Sequence, residues 1–282
     1  MCIRDSDVDT AGIDDKSRSR HTSMSTNLRD SGAQALLDVA FAHPIRFIVN
    51  ALGVPPDFML EQAQAKDVRV GALVGAKEHA VKQVQAGVDV LVVSGTEGGG
   101  HCGNVSTIVL IPEVHRAIQP YGDTPILAAG GIVTGRQMAA CMSMGAAGAW
   151  TASVWLTTAE AETSPVVKEK MLAASSSQTV RSKSRTGKFS RQLQSAWTDA
   201  WEMPDSPAPL PMPLQSLVSE PALARVEKLA DGGHDGARKL ATYWVGQGVG
   251  LMESSQSARS VVQEFKEDFL VACERLEKCL AE

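Results

Sequence analysis

The sequence predicts an α/β fold of parallel βα units, and three features carry that prediction. Short apolar runs alternate with amphipathic segments, with only a few residues between them. One apolar run, VDVLVV at residues 88–93, ends in a glycine-rich loop with a histidine at its tip, SGTEGGGHCGNVST at 94–107. Two later runs, TPILAAGGI at 124–132 and GAAGAWTAS at 145–153, end in turns of small residues. Successive small-residue turns late in a βα series match the phosphate site that barrels build on their last two strands.

Strands are expected at residues 45–51, 68–74, 88–93, 125–129 and 148–154. Helical patterns fall between them at 56–66, 77–86, 108–118 and 135–144. Ala80, Val81, Val84 and Val88 illustrate the helical period, with one apolar face toward a sheet. Thr134 stands where an N-cap is needed before the last of these helices.

The histidine loop has the composition of a chemical site. Gly98, Gly99 and Gly100 remove three side chains in a row, which lets backbone approach a flat or anionic ligand. His101 then places a group that titrates near neutrality at the end of a strand. Glu97, four residues earlier, has two readings: a partner that orients or charge-balances the imidazole, or a solvent-facing carboxylate. Cys102 adjoins His101, but neighbours in an extended loop point to opposite sides. A thiol nucleophile is not expected. His43, His79 and His115 read as structural or surface residues.

The pattern changes after Thr163. Helices are expected at 165–174, at 191–201 (from Leu193, Trp197 and Trp201 at i, i+4, i+8), at 222–229 and at 257–280. MPDSPAPLPMP at 203–213 reads as a proline-rich connector, and GQGVG at 246–250 as a loop returning to the site. Arg181, Lys183, Arg185 and Lys188 cluster in VRSKSRTGK, which is either a solvated loop or a contact for a phosphate.

Composition narrows the classes. A net charge of −5, from 27 basic and 32 acidic side chains, comes without a concentrated basic surface, so no nucleic-acid partner is expected. No apolar run approaches a membrane span. The five cysteines are scattered without zinc or disulfide spacing, which predicts free thiols, a cytoplasmic setting and no metal.

The motifs VDVLVVSGTEGGGHCG, TPILAAGGI, GAAGAWTASVWLTTAEAE, RTGKFSRQLQSAW and WVGQGVGLM occur in an order that resembles the nitronate monooxygenase family, over roughly residues 44–262. The resemblance implies an FMN-dependent TIM-barrel oxidoreductase. A flavin-dependent enoyl-ACP reductase group shares much of the pattern. By resemblance, His101 is the catalytic histidine and Gly99 a flavin-contacting glycine of its loop. Gly130 and Gly131 fall on the phosphate loop, and Trp150, Thr151, Ala152 and Ser153 on the segment whose amides hold the FMN phosphate. Ser94 stands where members often carry glutamine, and Ala152 where they often carry glycine. The implied partners are a small nitronate or nitroalkane and oxygen, with NAD(P)H as a second candidate. Oligomeric state is left open.

A TIM barrel has eight strands, whereas the sequence supplies five. The expected fold is therefore a partial (β/α)8 barrel, about the last five βα units, with a small C-terminal helical subdomain. Residues 1–34 are polar and rich in Ser, Asp and Arg, a composition of disorder, and their opening MCIRDS looks foreign to the family. Either the chain is a fragment with its natural start upstream, or 1–34 is an unusual arm. Residues 35–164 form the FMN-binding region and 165–282 the helical subdomain and C-terminal helices in this reading.

Overall fold

A computed structural model describes residues 30–281. Most of the 1–34 segment lies outside the described residues. Its last residues open helix α1, Asp30–Phe41. Then come β1 (Phe47–Asn50), α2 (Asp57–Ala65), β2 (Arg69–Val74), α3 (Lys77–Gln85) and β3 (Val90–Ser94). Next are β4 (Gly100–His101), α4 (Thr107–Ile118), β5 (Ile126–Ala129), α5 (Gly135–Ser143) and β6 (Gly148–Ala149). Strands β1-β2-β3-β5-β6 form one parallel sheet in that order, the five strands expected.

Period-two alternation fixes which face is buried. Ala72 and Val74 of β2, Leu91 and Val93 of β3, and Ile126 and Ala128 of β5 point to the helix layer. There they meet Ala80 of α3 and Leu110, Ile111, Val114 and Ile118 of α4 in one dry core. The opposite face is the inside of the barrel wall. Phe47 lies on it with its ring over Gly71, where a Cβ would stand 2.6 Å from the ring. Trp150, just after β6, meets Phe47 edge-on at 6.4 Å between ring centroids. Strands spaced about 4.8 Å apart would put the two edges of a flat five-stranded sheet about 19 Å apart, so this sheet is strongly curled.

The fifth strand is shorter than expected. Trp150 N–H still donates to Ala128 O at 2.7 Å, but the chain then turns into a 3₁₀ segment, Ser153–Thr157. Thr134 caps α5 as expected: it accepts from Gln137 N at 3.4 Å while Gln137 Oε1 accepts from Thr134 N at 3.1 Å.

The later part is helical, with a small sheet added: α6 (Pro165–Leu172), β7 (Thr179–Ser182), β8 (Ser190–Leu193), α7 (Ala196–Trp201), α8 (Leu214–Asp231), α9 (Asp235–Leu240) and α10 (Ala258–Ala281). The helix expected at 191–201 is a correction. Residues Ser190–Leu193 are a strand, antiparallel to both β4 and β7, and only Ala196–Trp201 is helical. Ser195 caps that helix, accepting from Trp197 N at 3.2 Å. The helix expected at 222–229 extends to both sides, with Pro221 inside it.

Helix α10 packs back on α5. Gly135 makes this possible, because a Cβ there would run into Phe265 O and Phe269 N. Arg136 N and Nε each donate to Asp268 at 2.7 Å beside it. Gly135→Ala should therefore cost about 1–3 kcal/mol and lower the melting temperature by roughly 2–10 °C. An unchanged thermal melt would mean that the two helices are not locked at this point.

Candidate active site

Three strand-end loops meet at one end of the parallel sheet. The first leaves β3 at Ser94, whose neighbour in register is Ala129 at the end of β5. Ser94 Oγ lies over Gly98, 2.9 Å from where a Cβ would be. The second loop, Gly130–Gly131, has φ of +102° and +73°, a left-handed path that glycine adopts without strain. It packs directly on the first, since a Cβ at Gly131 would stand 2.9 Å from Glu97 Cβ. Gln137 Nε2 holds Gly131 O at 2.9 Å. The third loop, 150–153, follows β6.

A fourth segment joins them. Gln247 N donates to Glu97 O at 2.9 Å, and Gly246 N donates to Ser153 Oγ at 2.9 Å. Gly248 runs against Gly131 O, 2.6 Å from its would-be Cβ. The GQGVG segment does return to this place. It also packs on the histidine loop: a Cβ at Gly99 would lie 2.7 Å from Val245 C and 2.8 Å from Gly246 N. The missing side chain at Gly99 makes room for protein backbone.

His101 closes β4 opposite Ser190 of β8. Its Nε2 lies 2.8 Å from Thr186 Oγ1, on the turn between β7 and β8. Loss of solvation first, and the Lys188 charge second, hold its pKa below the ordinary 6.5, although the side chain is exposed at the surface. A neutral imidazole with one nitrogen engaged is a competent base near pH 7.

Glu97 does not face this imidazole. Its Oε2 accepts from Thr107 N at 2.9 Å and from Thr107 Oγ1 at 2.8 Å. The carboxylate therefore sits on the N-terminus of α4, where the helix dipole favours it. Arg191 of β8 ties the histidine loop from below, with Nε on Thr96 O at 2.9 Å and Nη1 on Thr179 Oγ1 at 3.0 Å.

Backbone donors at the other two loops are free. Among the described residues, the amides of Gly130, Gly131, Thr151 and Ala152 make no hydrogen bond. Trp150 N–H is committed to Ala128 O, so Trp150 leaves the predicted amide set. A cleft of about 350 Å³ is lined by Gly130, Gly131, Glu97, Thr107, Gln137 and Cys141, among others; His101 is outside it. Burial pushes the Cys141 thiol up to about 11, with Glu97 adding to the shift, so it is protonated at neutral pH. No group of His, Cys, Asp and Glu among the described residues has the arrangement of a metal site. No described helix is long and apolar enough to cross a membrane.

The basic cluster divides. Arg185 is buried in a bidentate pair with Glu220 (2.7 and 3.1 Å) and stacks 4.1 Å from the Trp244 ring centroid. Arg181 and Lys183 flank the exposed Phe189 ring, and only Lys188 bears on His101. Sequence spacing gave no hint of Thr186, Arg191 or Thr107 in this site.

The fold and the loops define part of a TIM barrel with its strand-end site. A family model for nitronate monooxygenase matches residues 7–268, and the chain belongs to that family. The match begins inside the polar segment 1–34. Rv1533 of Mycobacterium tuberculosis, provisionally named a monooxygenase, is 56% identical over 245 residues, covering 86% of this chain and 64% of that protein. The chain thus spans less than two thirds of that relative. The structure of FabK from Thermotoga maritima is similar with a TM-score of 0.73 and 26% identity, over 89% of this chain and 76% of that one. Nitroalkane oxidase from Streptomyces ansochromogenes shares the fold with a TM-score of 0.76 at 24% identity, over 88% of this chain and 71% of that one.

Proposed function

We propose that the chain is a flavin oxidoreductase that oxidises alkyl nitronates or nitroalkanes with molecular oxygen, giving a carbonyl compound and nitrite, with FMN as its cofactor. The carrying observation is the set of undonated amides at Gly130, Gly131, Thr151 and Ala152, on one loop that packs on the histidine loop and a second tied to it through Gly246. Undonated amides at strand ends suit a phosphate, so the residues present fit the FMN phosphate. Ser153 supports the cradle by fixing Gly246. When bound, FMN supplies the electron acceptance that the reaction needs.

The chain's own residues handle position and protons. His101 takes the α-proton of a neutral nitroalkane, and its lowered pKa keeps it available for that step. Glu97 and Thr107 stiffen the start of α4, and through it the loop that carries His101.

The test is to titrate the chain with FMN, follow flavin fluorescence, and then measure nitronate-dependent oxygen uptake. Saturable binding followed by uptake is expected. A folded chain that leaves FMN free would remove the cofactor assignment. Reduction of bound FMN by NAD(P)H without nitronate-dependent uptake would favour a nicotinamide-dependent reductase instead, a reading supported by the cations Lys183 and Lys188 on the hairpin beside His101.

A further inference from the structure

We propose that Thr186 is a positioning residue that fixes the tautomer of His101, leaving Nδ1 as the nitrogen that accepts the substrate proton. Thr186 Oγ1 has three neighbours: His101 Nε2 at 2.8 Å, Lys188 O at 3.2 Å and Lys188 N at 3.3 Å. A hydroxyl donates one proton and accepts two. Lys188 N–H must donate to it, which leaves two ways to arrange the rest.

In the first arrangement the hydroxyl donates to Lys188 O, and His101 carries its proton on Nε2 and donates it to Oγ1. All three hydrogen bonds of the hydroxyl are then made, and Nδ1 keeps its lone pair. In the second arrangement the hydroxyl donates to Nε2. Lys188 O then loses this donor, and the proton moves to Nδ1. The first arrangement keeps all three hydrogen bonds of the hydroxyl and the second only two, so the first is the one we assign.

Thr186 is well placed for this role. It is buried while the imidazole is exposed. The residue before it is locked by Glu220, and Arg185 O accepts from Ser219 Oγ at 2.5 Å. The turn therefore holds the hydroxyl still against a ring that has no other hydrogen-bond partner among the described residues.

The second half of the inference rests on the proposed nitroalkane chemistry. The α C–H bond breaks, its electron pair forms the C=N bond of the nitronate while the N=O π pair moves onto a nitro oxygen, and the proton goes to Nδ1. The Nε2–H bond to Thr186 is untouched, so the imidazolium forms without a change of partner.

The experiment is a long-range ¹H–¹⁵N spectrum of the full 282-residue chain at about pH 8, with His101 identified by its loss in His101→Gln. The expected result is an unprotonated Nδ1 and a protonated Nε2. Thr186→Val should shift these signals toward a tautomer mixture and cut nitroethane turnover about tenfold or more. Thr186→Ser should restore both. A protonated Nδ1 in the unmodified chain, or an unaltered tautomer in Thr186→Val, overturns the assignment. An unprotonated Nδ1 in a chain that turns over no nitroalkane upholds the tautomer and overturns the nitroalkane reading alone.

Discussion

His101→Ala is expected to cut turnover of neutral nitroalkanes by roughly 10²–10⁴, the usual worth of a positioned general base, and to cut oxidation of preformed nitronates much less. A nitronate has already lost its α-proton, so only the neutral substrate needs the base. Equal losses on both substrates would sink the base assignment. The pH profile adds a second check. The proposed base is the neutral imidazole, and desolvation with Lys188 lowers its pKa below 6.5. The acid limb of kcat/KM on nitroalkanes should therefore lie below pH 6.5. The same shift bears on folding. The unfolded chain binds this proton first on acidification, so the contribution is present above pH 6.5 and lost as pH falls.

Glu220→Ala should be the most damaging change away from the site. Its carboxylate is the only acidic partner of Arg185 among the described residues, and the Arg185 side chain is 8% exposed. Removing it strands a buried guanidinium, whose Nη1 already lacks a partner. Breaking a fully buried pair costs about 3–5 kcal/mol. Here Glu220 is 26% exposed, so about 2–3 kcal/mol is expected, a drop of roughly 4–12 °C in melting temperature. Adding Arg185→Met removes the stranded charge and should recover part of the loss. A melting temperature unaffected by Glu220→Ala would mean the pair holds nothing. Because Thr186 is the next residue, the single variant should also lose nitroalkane turnover.

The parallel sheet was legible because its physics is local in sequence. Ala72, Val74, Leu91 and Val93 alternate toward a dry helix layer, and the gaps between strands are short. The glycine loops were legible for a similar reason, since Gly130 and Gly131 do take left-handed paths. Strand β8 was hidden. Ser190, Arg191, Gln192 and Leu193 are all buried, yet three of the four are polar. Their side chains find partners in Thr96, Thr179, Ser184 and Trp244, which no hydrophobic period reveals. The spacing of Leu193, Trp197 and Trp201 then imitated a longer helix. Glu97 misled differently. Four residues separate it from His101, but the loop folds its carboxylate onto Thr107. The partner His101 does have, Thr186, is 85 residues away.

The segment around Gly246 has a consequence for how the molecule comes into being. Ser153 waits 93 residues for the amide it will hold, and Glu97 receives Gln247 from even further along the chain. The parallel sheet can zip up from neighbouring βα units, but the three loops are cross-tied only once this late stretch has arrived. Long-range closures of this kind are the slow steps of folding. Catalytic competence should therefore lag behind the appearance of secondary structure during refolding. A nascent chain halted near residue 240 would carry the sheet without a finished site.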